Sequence, residues 1–200
     1  MERREALKKL GFATGFFVFT PTLIDMLKNC DSDLENWNPE FFNTEQGIVL
    51  IGLVDTILPK TGDLPSASEI NVPQFIDKYV NEVMDNEAKK EIKVVFNNII
   101  SILKSDKNTN VDALSQEDYK ALLDKHLLLK NETDPQEIEK TELSSITNSE
   151  FLNQVKAMTI KAYLTTEQIG EEVLVYEPVP TKYYCGNLQE LTGGKSYSLK

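Results

Sequence analysis

The chain alternates between segments whose apolar residues recur at helical spacing and short stretches of proline, glycine and asparagine that interrupt them. The first apolar run is of another kind: from Leu10 to Ile24 no residue carries a charge, so it lacks the polar face of an amphipathic helix. Beyond residue 40 the pattern becomes helical. Asn43 with Gln46 three positions on forms the two halves of a capping box. GIVLIGLVDTIL follows, apolar nearly all round apart from Asp55, which predicts a helix buried on most sides and stopped by Pro59. After the loop KTGDLPSASEIN, Asn71 is placed to cap a second helix, with Pro73 in its first turn and Gln74 at the box position. Its predicted inner stripe is Phe75, Ile76, Tyr79, Val80, Val83 and Met84. A break at Asp85-Asn86 leads into a third helix with Ile92, Val95, Phe96, Ile99, Ile100 and Leu103 inward. Ser115 with Asp118 starts a fourth, which buries Tyr119, Leu122, Leu123 and Leu127. The charged segment 130–147, with Pro135, predicts a loop, and a fifth helix carries Phe151, Leu152, Val155, Met158 and Tyr163 inward.

After Gly170 the style changes. VLVYEPVPTKYYCGNL has β-formers interrupted by Pro178 and Pro180, which fits neither a helix nor a regular hairpin. It predicts irregular extended chain lying across the helices or across another protein. The fold class read from the pattern is therefore all-α: one helical domain of about five helices with an irregular extended C-terminal segment. The boundaries that follow are a signal at 1–30, a linker at 31–42 and the helical domain at 43–200, its tail extended from residue 171.

The uncharged N-terminal run has three readings: a buried first helix, a membrane span or an export signal. Gly11 and Gly15 weaken it as a helix by about 1 kcal/mol each relative to alanine. Pro21 and Asp25 leave it short of the roughly 20 apolar residues that a span needs. A basic segment before a modest apolar run fits an export signal. The order Arg3-Arg4-Glu5-Ala6-Leu7-Lys8 resembles the twin-arginine signal, with Arg3, Arg4, Leu7 and Lys8 matching and Ala6 standing where a larger apolar residue is common. Such addresses are read by a receptor, here the twin-arginine translocase, and are not anchors. No small-x-small cleavage site follows. Cys30 stands where a lipoprotein cysteine could be acylated, although Leu27-Lys28-Asn29 departs from the small residues expected before it; a retained signal-anchor is also open.

Charge narrows the partners. The chain carries a net −11, and its first thirty residues hold more Lys and Arg than Asp and Glu, so the remainder is more acidic still. That balance repels nucleic-acid backbones, which need clustered cations. Of the two cysteines, Cys30 and Cys185, pairing with each other, pairing of Cys185 with another chain, and a free thiol all stand as readings. Chemistry is sparse. His126 is the one histidine, and with two distant cysteines it assembles no His- or Cys-based zinc site. Motifs for a nucleophile elbow, a dinucleotide or nucleotide cradle and covalent haem attachment are all missing from the sequence. Asp55 is the carboxylate to watch, because in an apolar helix it must find donors or be neutral. Backbone amides of the KTGDLP loop are the expected donors; a carboxylate-based hydrolase using Asp55 is the enzymatic alternative. The sequence thus expects no catalytic, cofactor-binding or metal site in this chain.

LVDTILPKTGDLPSASEINVPQFID resembles a hallmark stretch of the gluconate 2-dehydrogenase subunit 3 family. Asp55, Thr56, Ile57 and Pro59 match, then Thr61, Pro65 and Ala67, then Val72, Pro73, Phe75, Ile76 and Asp77, with Ser66 in place of the usual glycine. The ending is similar too, at Ile169-Gly170, Tyr176, Pro178-Val179-Pro180, Tyr183, Cys185 and Gly193-Gly194. Thr181 and Tyr184 depart from the family's glycines, and Tyr197 replaces a common tryptophan. Together the matches span residues 37–199. The resemblance implies a non-catalytic small subunit that assembles with, and helps export, a large FAD-dependent dehydrogenase of the glucose–methanol–choline type acting on a sugar or sugar acid such as gluconate. A cytochrome c subunit with haem is a further partner in such complexes, and the place is the periplasm, in association with the membrane. Tyr176, Pro178, Pro180, Tyr183, Tyr184 and Cys185 are then the expected partner contacts. The alternative is a free-standing exported lipoprotein that serves as a binding or scaffold module.

Overall fold

In a computed structural model of the chain, the described residues are 37–107, 110–128, 146–177, 179 and 185–198. They belong to the compact unit Trp37–Lys200, separate from Met1–Asn36. Among them, five long helices carry the fold and no strand forms. We number them α1 (Thr44–Ile57), α2 (Val72–Val83), α3 (Asn86–Lys107), α4 (Gln116–Leu128) and α5 (Asn148–Leu164); a short α6 (Leu188–Thr192) follows.

Local chemistry sets most of their ends. The capping box of α1 forms as the sequence predicts: Asn43 Oδ1 accepts from the Gln46 amide at 2.7 Å, and Gln46 Oε1 accepts from the Asn43 amide at 3.0 Å. Thr147 and Glu150 build a second box at α5. Asp85 starts α3 by accepting from the amides of Glu87 and Ala88. The predicted Asn71–Gln74 box is absent. Asn71 sits at φ 62°, ψ 25° and its side chain makes no capping bond, because the turn Ser68–Ile70 runs straight into α2 and needs a left-handed residue between them.

Helices α1 and α5 each contact the other four long helices. The core they share holds Leu50, Leu53, Phe96, Ile99, Leu152 and Val155, and Phe42, Phe96 and Phe151 meet ring to ring through it. The inward stripes of α3 and α4 fall as expected, with Leu127 only partly buried. On α2 the stripe is rotated. Val72, Pro73, Ile76, Asp77 and Val80 face inward, while Phe75, Tyr79 and Val83 are 53%, 38% and 63% exposed. The reason is Asp77, whose carboxylate is fully engaged by backbone amides and so is stable on the inner face.

Two further stretches differ from the sequence reading. Residues 37–42, placed there in the linker, pack as part of the domain: Phe42 is buried and Trp37 and Phe41 lie against the core. The tail is not purely extended. A wide π-type turn at Gln168–Val173 puts Ile169 into the core, and α6 is capped by Asn187. The tail is pinned back where the Val175 amide donates to Ser196 O and the Ser198 amide to Val175 O, both at 2.9 Å. Of the predicted loop at 130–147, residues 130–145 lie outside the described residues, and Thr147 is the N-cap of α5.

Candidate functional site

The motif residues converge on the corner between α1 and α2. Asp55, one turn from the end of α1, accepts from the Ser68 amide through Oδ1 at 2.8 Å and from Ser68 Oγ through Oδ2 at 2.6 Å. Its donors thus come from the turn after the KTGDLP loop rather than from the loop itself. Thr56 Oγ1 donates to Gly52 O, and Pro59 ends the helix. The loop is held at its other side by Glu69, which accepts from Lys60 Nζ at 2.7 Å and from the Ser66 amide at 2.9 Å. Those two donors, Lys60 first, draw the Glu69 carboxyl below the usual carboxylate range. Tyr163 reaches across from α5 and donates to Pro65 O at 2.8 Å. Burial, and then the Glu69 charge, push its phenol up.

Asp77 works in the same way on the opposite side of the corner. Its Oδ2 accepts from the Glu40 amide at 2.7 Å, and its Oδ1 accepts from the amides of Phe42 at 2.9 Å and Phe41 at 3.1 Å. Pro73 is buried in the first turn of α2, where a missing N–H costs nothing. Both motif aspartates are therefore acceptors that fasten backbone, and the arrangement brings Asp55, Thr56, Pro59, Pro65, Pro73 and Asp77 together as a joint between helices. Phe75, from the same motif, points away from it into solvent.

A shallow cavity of about 490 Å³ opens beside the joint, lined by Gly52, Asp55, Thr56, Lys60, Gln116 and Tyr119. Tyr119 from α4 fits only because Gly52 has no side chain: a Cβ there would stand 2.3 Å from the ring. Burial, with the charges of Asp118 and Asp112, pushes the Tyr119 phenol up to about 12. Asp55 spends both oxygens on the amide and hydroxyl of Ser68, and no histidine or cysteine lines the cavity. No group of three or more metal-ligating side chains occurs among the described residues, and no helix among them is long and apolar enough to cross a membrane.

A second cavity, of about 280 Å³, runs between α2 and α5 and is lined by Phe75, Ile76, Tyr79, Met158, Lys161 and Thr165. The rings of Phe75 and Tyr79 stack at 6.1 Å. The sequence reading missed this groove because it assigned Phe75 and Tyr79 to the core. It named Asp77 only as a motif residue, since its amide partners lie 35 to 37 positions away and no local spacing announces them.

Of the remaining candidates, Tyr176 is half exposed, and Cys185 is exposed and makes no disulfide among the described residues. Pro178, Pro180, Tyr183 and Tyr184 lie outside the described residues, as do Arg3, Arg4, Leu7, Lys8 and Cys30. His126 sits in the last turn of α4, where its carbonyl accepts from Ser149 Oγ.

No curated protein and no solved structure matches the chain. The family model described as gluconate 2-dehydrogenase subunit 3 matches residues 44–180, well over half of the chain, from the first residue of α1 through the joint to the start of the tail. The chain belongs to the gluconate 2-dehydrogenase subunit 3 family.

Proposed function

We propose that this chain is a non-catalytic accessory subunit that binds a large FAD-dependent dehydrogenase of the glucose–methanol–choline type and helps carry it to the periplasm. The family is that of a subunit of a dehydrogenase complex, so other subunits are its natural partners. The observation that carries the non-catalytic reading is the use of the motif carboxylates: Asp77 accepts from three backbone amides and Asp55 accepts from the amide and hydroxyl of Ser68, so both serve to fasten the chain. The flavin chemistry then belongs to the partner, which oxidises a sugar or sugar acid such as gluconate, and a cytochrome c subunit carries electrons onward.

In this reading Arg3 and Arg4 engage the twin-arginine translocase and the folded flavoprotein travels as cargo. The tail offers one contact region. Tyr176, Val179, Leu188, Leu191 and Tyr197 are all large apolar residues left 45% exposed or more. Aromatic side chains of this kind are enriched at interface hot spots. Lipidation at Cys30 or a retained signal would keep the assembly at the membrane.

The test is gentle affinity purification of the full chain from native membranes, followed by an absorbance scan and mass spectrometry. The expected result is a large oxidoreductase in stoichiometric amount with the visible bands of a flavin. A colourless, solitary protein bearing a lipid on Cys30 would reject the proposal and establish the free-standing lipoprotein instead.

A further inference from the structure

We infer that the cavity beside the joint binds a small neutral polyol, held by the hydroxyl of Tyr119 and the side-chain amide of Gln116. Such a site does not depend on the accessory role. A buried phenol ordinarily finds a partner for its hydroxyl. Tyr119 is 5% exposed, yet its hydroxyl makes no hydrogen bond among the described residues. The hydroxyl end of the ring is pressed against Gly52, which places it in the wall of the cavity of about 490 Å³. Ionising near 12, the phenol keeps its proton at neutral pH and can both donate and accept. Gln116, the first residue of α4, lines the same space, and its side-chain amide is likewise uncommitted. Thr56 gives its proton to Gly52 O, so its oxygen keeps its acceptor capacity.

The charges in the lining work against an ionic ligand. Asp55 is its one carboxylate and Lys60 its one ammonium. Each is already matched, Asp55 by the amide and hydroxyl of Ser68 and Lys60 by Glu69 at 2.7 Å. An anion would have to displace Glu69 and lie beside Asp55, and a cation would meet Lys60. The groups left over are a phenol, a primary amide and a threonine oxygen, which between them offer both donors and acceptors. Their complement is a ligand whose own groups also do both, and hydroxyls on adjacent carbons do so without charge. Leu114 and Pro59 supply apolar wall for the carbon skeleton. The volume falls within the roughly 300–1,000 Å³ of small-molecule sites. The bonds from Ser68 to Asp55 and from Thr56 to Gly52 set the wall in advance, so little order has to be gained on binding.

The experiment follows hydrogen–deuterium exchange by mass spectrometry in the full chain as purified from native membranes. Peptides of this chain alone are read, so a polyol held by a partner is not counted. The probes are sorbitol, gluconate and glucamine, which share one linear carbon chain and are neutral, anionic and cationic. Sorbitol is expected to slow exchange in peptides covering residues 52–60 and 114–119, and the two ions to need a concentration roughly 10-fold higher or more. Tyr119→Phe keeps the ring and should raise the sorbitol midpoint by roughly 2- to 10-fold, as loss of one hydrogen bond does. Gln116→Ala, at an exposed position, should raise it too and reads the site even where the Tyr119 change lowers stability. Absence of protection by sorbitol means that the cavity takes water alone and overturns the site. Equal or stronger protection by either ion overturns the neutral class. A midpoint unmoved in both variants puts the polyol elsewhere and overturns the roles of Tyr119 and Gln116.

Discussion

Removing the Asp77 carboxylate leaves the amides of Glu40, Phe41 and Phe42 without acceptors. Hydrogen bonds to a charged group contribute about 1.5–3 kcal/mol each, with overlap among the three, so Asp77→Ala is expected to destabilise the domain by about 2–4 kcal/mol in urea denaturation. The same substitution should free residues 37–42, seen as early cleavage near Phe41 by chymotrypsin. Tyr119 makes a prediction in pH. Its phenol ionises near 12 when folded against an ordinary value of 10, so the folded state holds its proton more tightly. The stabilisation is complete below pH 10 and is lost as pH rises from 10 towards 12. Tyr119→Phe should flatten that part of the alkaline unfolding curve and leave the rest unchanged.

At the scale of elements, the sequence was most legible where structure is local. The Asn43–Gln46 box needs residues three apart, and both were in plain view. Asn43→Ala should cost about 1 kcal/mol, the usual value of an N-cap, measured by thermal unfolding. The Asn71–Gln74 pair has the same spacing and forms no box, because the preceding turn dictates the backbone of Asn71. Helix α2 was placed correctly, yet its inner face was not, since an aspartate is read as outward unless its distant donors are known. The contact of α1 with α4 is equally hidden: Gly52 reads as a weak point in an apolar helix and proves to be the slot for Tyr119. Gly52→Ala should destabilise by about 1–3 kcal/mol through overpacking. Combining it with Tyr119→Leu should recover much of that loss, because the two sites share one contact.

For the whole molecule, the tail and the bundle separate cleanly in burial. Val173 and Leu174 pack on the core, whereas from Tyr176 to Tyr197 the described residues are exposed apart from Thr192. A chain ending at Val175 is therefore expected to keep the helical content and nearly the melting temperature of the full chain, while recovering less flavoprotein from membranes. Flavoprotein recovered in full by that truncated chain would remove the tail from the interface.

The sequence by itself determined the helical class, where most of the long helices begin, and the family resemblance, because capping, periodicity and a short ordered motif are properties of neighbouring residues. Two acidic motif residues were legible as important. The sequence expected backbone donors for Asp55 but placed them in the KTGDLP loop; only the tertiary structure decided that they come from Ser68 and that Asp77 holds backbone too, at Phe42, across chain separations that spacing does not encode. It also decided which aromatic residues are buried and which are left in solvent. That choice follows from the rotation of α2 about its own axis, set by bonds to residues outside the helix.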